Sequence, residues 1–434
     1  MIPTIIISVI TFISITASIL FFPSIKIGKI KISAYWVIAL LGASILLIFS
    51  LAPIKEVWNE LISDKAINPL KILILFFSMT IISILLDEFG LFRYLASLAS
   101  KKAGHSQFVL FFILYGLTSL LTVFTSNDIV ILTLTPFICF FCKNAKINPL
   151  PYLIAEFASA NTWSLMFIIG NPTNIYLATS AGINFIEYLK VMWLPTILAG
   201  VVELLIIFAL FYKKLKEPIT ISEDEYHITS KLDVIIGVSI LLICLVFLII
   251  SSYIHIEMWL ISLICASTLL IITIIIRLIT KKNWGYVTSS LKRLPYPLIP
   301  FFLSMFVIVV ALNYQGISTK VGEFLGNSNT VWVYGYSSFL VCNVINNIPM
   351  SILYSSLPVN LSGITYYHAI YATIIGSNIG AFLTPIGALA GIMFSGLINK
   401  YEVKFSFLDF SKYGLIVSMP TITVALAGLL LILH

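Results

Sequence analysis

Residues 376–387 read GSNIGAFLTPIG, inside an apolar run with IYATII before it and ALAGIMF after it. Three glycines, a proline, an asparagine, a serine and a threonine are costly in a membrane helix. Proline removes an N–H and clashes with the preceding turn, and glycine loosens the backbone. The amides and carbonyls so freed cannot face lipid; they persist only against protein or around a watery cavity. There they offer carbonyls to a cation, helix N-termini to an anion, and amides and hydroxyls to either. The stretch reads as a break in a membrane helix that serves a site.

The surrounding chain supports that setting. It has 434 residues, 60% hydrophobic and 10% charged, with mean hydropathy +1.07, against about a quarter charged in soluble proteins. Apolar runs of the length that crosses a bilayer, about 20 residues, fall at 3–22, 33–51, 69–86, 106–141, 150–182, 191–212, 232–252, 257–277, 297–313, 331–357, 366–396 and 413–433. The first has no basic residue before it and Lys26, Lys29 and Lys31 after it, the reverse of a secretory signal, so it is a span. Cys139, Cys142, Cys244, Cys265 and Cys342 lie in or beside apolar runs without metal-ligand spacing and read as small apolar helix residues. The net charge of +7 is informative by placement and does not indicate nucleic acid.

As one helix, 106–141 would be about 54 Å long, against a core of ~30 Å. Short cytoplasmic loops collect Lys and Arg. With the N-terminus outside and 106–141 and 331–357 as re-entrant hairpins, only Lys55, Lys65, Lys71, Lys190 and Lys320 of the 25 basic residues fall outside. The expected fold is therefore an all-α polytopic membrane protein with about 10 transmembrane helices and two re-entrant hairpins, helices 5 and 10 being discontinuous. Its first repeat is 1–212, with a hairpin entering from the cytoplasm. A cytoplasmic linker follows at 213–231, and a second repeat at 232–434 has its hairpin entering from outside. The halves are inverted, a pattern that marks secondary transporters with a midplane site between broken helices. Both termini are expected outside a cytoplasmic (inner) membrane.

The polar interruptions recur in both halves. The first hairpin tip reads TSNDIVILTLTP (125–136) and the next span contains GNPTN (170–174); the second tip reads NVINNIP (343–349) and the next span contains the opening stretch. Asn127 and Asn347 are 220 residues apart, Asn171 and Asn378 207. The helix-break residues are Gly170, Pro172, Gly376, Gly380, Pro385 and Gly387. None of the four motifs contains lysine or arginine, so binding rests on amides, hydroxyls and dipoles; a fixed charge would usually hold a phosphate or dicarboxylate. That suits a neutral polyhydroxy solute or a small oxyanion, and leaves open a dicarboxylate held by helix ends.

Acids at depth are functional candidates by default. Asp128, at the first tip, is the candidate for proton or cation coupling. Glu156 is expected near the cytoplasmic surface, and Glu203 alone on a peripheral span. No paired acids at depth and no HExxH motif point to an enzyme, and inverted halves with hairpins fit alternating access better than a channel.

The sequence resembles the arsenite efflux permeases (ArsB type) of the ion transporter superfamily. SNDIVILTLTP is similar to their first hairpin, ASANTWSLMFIIGNPTNI to their fifth span, VINNIPMSIL to their second hairpin, and GSNIGAFLTPIGALAGIMF to their most recognisable segment. The resemblance implies outward transport of arsenite or antimonite, conferring arsenical resistance, by proton exchange alone or with a soluble arsenite-stimulated ATPase. It places substrate binding at Asn127, Asn171, Thr173, Asn174, Asn346, Asn347, Ser377, Asn378 and Thr384, and coupling at Asp128. No metal or cofactor beyond the coupling ion is implied. The superfamily also contains carboxylate, sulfate and silicic acid carriers and sodium/proton antiporters. A sodium-coupled carrier would use Ser126, Asn127 and carbonyls near Gly170, and symmetrically near Asn346 and Gly376. Spans 1–3 and 7–9 leave open a homodimer face or lipid contact.

Overall fold

The computed structural model describes residues 1–22, 24–27, 30–62, 68–217, 219, 230–280 and 284–433. Most of the 213–231 linker, and Lys29, Lys65, Lys281 and Lys282 of the basic-residue distribution, lie outside the described residues. The first half runs α1 (Ile2–Phe21), α2 (Ala34–Ile48), α3 (Ile54–Ile62), α4 (Pro69–Glu88), α5 (Leu91–Ala103), α6 (Gln107–Phe124), α7 (Asn127–Asn144), α8 (Leu150–Trp163), α9 (Pro172–Ser180) and α10 (Phe185–Phe211). The second runs α11 (Lys231–Ile254), α12 (Met258–Thr280), α13 (Gly285–Arg293), α14 (Leu298–Tyr314), α15 (Ile317–Leu325), α16 (Thr330–Ile345), α17 (Asn347–Tyr354), α18 (Ile364–Gly380), α19 (Leu389–Lys400) and α20 (Phe407–Ile432). A small antiparallel ribbon, β1 (Ser24–Ile27) with β2 (Ile30–Ser33), joins α1 to α2.

Among the described residues, eight helices are long and apolar enough to cross a membrane. Shorter helices complete the crossings as halves of hairpins or of broken spans. Each half has the order span, span, span, hairpin, broken span, span. Five crossings and a returning hairpin make an odd number, so the second half is inverted relative to the first. Packing repeats accordingly: α2 lies on α14 and its counterpart α12 on α4, while α7 lies on α19 and its counterpart α17 on α9. Each hairpin thus meets the broken helix of the other half, and α10 and α20 pack directly together.

Local sequence explains matching starts. α10 opens with a capping box, Asn184 with Glu187, and α20 with another, Ser406 with Asp409; each satisfies two N–H groups that a helix start leaves open. The short helices α5 and α15, which the sequence reading did not separate, follow left-handed Gly90 (φ 87°) and Gly316 (φ 68°) at equivalent places before each hairpin, a conformation glycine adopts without penalty. Residues 369–380 of α18 are buried throughout, whereas α11 and α12 expose large apolar side chains such as Ile235, Leu242, Val246, Ile264 and Ile271.

One expectation is corrected here. Gly376 and Gly380 lie inside α18, not in a break. A Cβ on Gly376 would collide with the Ser338 hydroxyl and the Gly335 carbonyl, and one on Gly380 would lie 2.7 Å from the Phe339 carbonyl oxygen. Their role is to let α16 and α18 approach closely, the usual use of small residues between membrane helices.

Candidate functional site

The first break separates α8 from α9, passing through a 3₁₀ turn at Ile168–Gly170; the second separates α18 from α19. Gly170 and Gly387, 217 residues apart, do the same work in the two. A Cβ on Gly170 would overlap the Ser164 carbonyl oxygen, and one on Gly387 would sit 2.8 Å from the Gly380 carbonyl oxygen and 2.9 Å from Asn343 Oδ1. Each loop therefore folds back on the end of the helix before it, and only glycine fits. The same interval relates Asn161 to Asn378 and Asn171 to Ala388. Asn171 and Asn378 are thus not equivalent, as the 207-residue spacing suggested. Asn171 caps the helix after its break, while Asn378 lies in the last turn before its break.

At the first tip, Asn127 Nδ2 donates to Asn161 Oδ1 (3.2 Å), and Asn127 Oδ1 accepts the Asp128 N–H (2.9 Å). Asn161 is fixed in turn through Nδ2 to the Phe157 carbonyl (2.8 Å). The second tip is held mainly by backbone. Asn346 turns the chain at φ 72°, a sparsely populated conformation for a residue with a Cβ, of the kind that persists only where neighbours impose it. Its Nδ2 donates to the Ile386 carbonyl (3.0 Å), and the Asn347 N–H donates to the Gly387 carbonyl (2.9 Å). Asn343 completes the junction: its Oδ1 accepts from the N–H (3.1 Å) and hydroxyl (2.6 Å) of Thr384, and its Nδ2 donates to the Gly380 carbonyl (2.9 Å).

The halves are joined at Asn378. Its Oδ1 accepts from Asn171 Nδ2 (2.9 Å) and lies 2.8 Å from Ser164 Oγ, whose single proton is shared with the Asn161 carbonyl, and its Nδ2 donates to Asn174 Oδ1 (2.6 Å) and the Ile374 carbonyl (2.9 Å). Asn174 Nδ2 reaches back to the Ser164 carbonyl (2.8 Å), and Thr173 donates its N–H and hydroxyl to Asn171 Oδ1 (3.1 and 3.0 Å). All of these side chains are buried. Ser377 faces the second hairpin, 3.4 Å from Ser351 Oγ. The structure thus gathers Asn171, Thr173, Asn174 and Asn378 in one network, Asn346, Asn347 and Thr384 at the second junction, and Ser126, Asn127 and Asp128 at the first tip. Asn161, Ser164 and Asn343 were missed by sequence reading. Matching Gly170 with Gly387 would have found Asn161, and Asn343 stands one helical turn before the Asn346–Asn347 pair.

Asp128 is half-buried, and its carboxylate has no hydrogen bond or ion pair among the described residues. One correction concerns the other acids. Glu156 is buried within the protein and accepts from Thr135 Oγ1 (3.1 and 3.0 Å). Glu203 is not peripheral: it is buried and accepts from Thr162, next to Asn161.

A cavity of about 350 Å³ between α19 and α20 reaches Pro385 and Ile386 of the second break and is flanked by Asn399 and Ser406. A second cavity, of about 380 Å³, lies between the α9–α10 turn, α4 and the α11–α12 turn, flanked by Thr179 and Asn184.

A family model described as citrate transporter (CitMHS) matches residues 19–362. The chain is 26% identical over 419 residues to an arsenical pump membrane protein of Escherichia coli, covering 91% of this chain and 92% of that one. It is 25% identical over 415 residues to a 46 kDa membrane protein of Mycobacterium leprae, with the same coverages. The solved Alcanivorax borkumensis YdaH transporter, reported to have an unusual topology, superposes with TM-score 0.56 over 99% of this chain and 97% of that one at 15% identity, a likeness of fold. Two inverted halves, paired hairpins and breaks, and a family match across most of the length agree: the chain is a multi-pass membrane transporter that belongs to the CitMHS citrate transporter family, with arsenical pump membrane proteins among its relatives.

Proposed function

We propose that this transporter exports arsenite and antimonite across the cytoplasmic membrane by alternating access, in exchange for protons. The carrying observation is the chemistry of the centre. Asparagine amides, hydroxyls and freed backbone groups surround the two breaks, with no lysine or arginine in the four motifs and one unpartnered carboxylate, Asp128. Arsenite near neutral pH is mostly an uncharged trihydroxide. Its hydroxyls can trade water for amides and carbonyls without a fixed cation, whereas citrate is an anion that normally recruits arginine. The arsenical pump relatives support the same reading.

Asp128, with Ser126 and Asn127 beside it, is the coupling group. The distribution of basic residues favours both termini outside. The cavity that reaches Pro385 then opens to the cytoplasm, the loading side for an exporter. On this reading the protein works alone or with a soluble arsenite-stimulated ATPase, and the exposed faces of α11 and α12 meet lipid or a second copy. The description of the matching family favours a second reading, a sodium- or proton-coupled carrier of a small carboxylate.

Everted membrane vesicles separate the two. Arsenite accumulation that requires an imposed proton gradient and disappears in Asp128→Asn is the expected result. No arsenite movement under a proton or a sodium gradient would overturn the substrate assignment, and citrate uptake driven by sodium would favour the second reading.

A further inference from the structure

The carboxyl of Glu203 lies where α6, α8 and α10 meet, and it is fully buried. Three groups surround the hydroxyl of Tyr115: the Gly200 carbonyl oxygen at 2.7 Å, Glu203 Oε1 at 3.0 Å and Trp163 Nε1 at 3.2 Å. The carbonyl can only accept and the indole can only donate. Tyr115 thus has one proton for two acceptors, the Gly200 carbonyl and Glu203 Oε1. With that proton on Gly200, the shorter contact, a protonated Glu203 satisfies the remaining one by donating to the Tyr115 oxygen, while Oε2 accepts from Thr162. Among the described residues no cation pairs with Glu203. On the packed elements, Glu156 and Tyr152 of α8 bond Thr135 and Gln107. Cys244 of α11 lies beside Met79, and Asp233 pairs with Arg277. Asp409 is held by Ser406, and Tyr413 lies against Phe211. Lys231, Tyr253 and Lys412 stand toward the ends of α11 and α20, and Glu187, Tyr188 and Lys190 at the start of α10. Buried without a partner cation, an ionised carboxylate would carry a heavy desolvation cost.

The second half shows that this place needs no acid. By the spacing of the two capping boxes, Asn184 and Ser406, Glu203 corresponds to Ala425, which is buried. An apolar residue suffices for the frame, and the first half carries a protonatable group instead.

We propose that Glu203 is a proton-binding positioning residue of the transport cycle, neutral in the state seen here, that fastens the end of α8 to α6 and α10. Its partner Thr162 lies between Asn161, which accepts from the first hairpin tip, and Trp163. Ser164 follows and bonds Asn378 of the other half. When the proton passes from Glu203 to water, the resulting carboxylate requires hydration. The seam between α8 and α10 then opens and frees both contacts; taking a proton from water closes it again. This rests on the proton-coupled reading above.

The test uses infrared difference spectra of the purified full-length protein, which need no substrate. The protonated-carboxyl band lost in Glu203→Gln is expected to titrate with pH in the wild type and to survive, shifted, in Glu203→Asp. In everted vesicles the pH profile of proton-driven arsenite accumulation should follow that titration, and accumulation should be lost in Glu203→Gln at unchanged protein level and melting temperature. A band that does not titrate, or a Gln variant that still accumulates arsenite with the wild-type pH profile, would overturn the proposal. If the wild type moves no arsenite at all, the substrate assignment fails and the infrared titration alone decides on Glu203.

Discussion

Replacing Asn378 by alanine removes the second-half side chain that meets Ser164, Asn171 and Asn174 of the first half at the centre. Two buried atoms lose their protein partner: Asn171 Nδ2 and Asn174 Oδ1. Ser164 Oγ keeps its bond to the Asn161 carbonyl (2.6 Å). At about 1–3 kcal/mol for each buried group left unsatisfied, the variant should lose about 2–6 kcal/mol. Asn161→Ala, at the equivalent place in the first half, leaves only Asn127 Nδ2 without its acceptor and should lose about 1–3 kcal/mol. In Asn171→Ala/Asn378→Ala the orphaned Asn171 amide no longer exists. The double variant should therefore be more stable than the sum of the singles by about 1–3 kcal/mol. Reversible unfolding of the purified protein in mixed detergent micelles gives all four values. Additivity within about 0.5 kcal/mol, or an Asn378→Ala cost no greater than that of Asn161→Ala, would refute the idea that Asn378 is the bond between the halves.

Gly170→Ala and Gly387→Ala should each abolish transport and lower the melting temperature, because the added Cβ meets backbone at a loop that folds back on a helix end. Gly396→Ala, with nothing within 4 Å of the new atom inside α19, should be tolerated and gain up to about 1 kcal/mol of helix stability. Arg293 pairs with buried Asp87 (2.6 Å) and with Glu88 (2.7 Å), tying α13 to α4. Arg293→Ala leaves Asp87 buried without its cation and should cost about 3–5 kcal/mol, with Asp87→Asn/Arg293→Ala recovering part of it in the same unfolding assay. Single cysteines at Gly182 and at Lys213 should react with a membrane-impermeant reagent from opposite faces of the membrane, Gly182 from outside.

Much of this was readable in the chain because lipid simplifies the problem. Every helix must satisfy its own backbone, so a Gly/Pro/Asn interruption at depth stands out: the helical hairpins turn at TSNDIVILTLTP and NVINNIP, and the breaks fall within or beside GNPTN and GSNIGAFLTPIG. The register inside the breaks was not readable. Gly376 looks like part of an interruption, yet the helix continues through it because its missing Cβ serves a neighbouring helix, information that lies in α16 and not in α18. The roles of Glu203 and Glu156 were hidden for the same reason. An isolated acid on an apolar span reads alike whether it faces lipid, water or a buried tyrosine, and only Tyr115 and Thr135, 88 and 21 residues away along the chain, decide which.

The comparison of halves also separates what the fold requires from what the chemistry requires. Inverted repeats give alternating access its frame, and that frame is satisfied by residues common to both halves: paired glycines in the breaks, paired asparagines at the ends of α8 and α18, paired capping boxes on α10 and α20. The acids in the central helices do not obey the symmetry. Asp128, Glu156 and Glu203 all belong to the first half, and Ile348, Thr373 and, by the spacing of the two capping boxes, Ala425 occupy the corresponding places in the second. A carboxyl buried among apolar helices is costly, and since the second half builds the same architecture without one, the architecture does not account for any of the three. The second half instead has the break that a cavity reaches, held by backbone carbonyls that cannot titrate. On the proposed reading, solute entry belongs to the second repeat and proton handling to the first, and Asn378, bonded to Ser164 and Asn171 across the boundary, links the two.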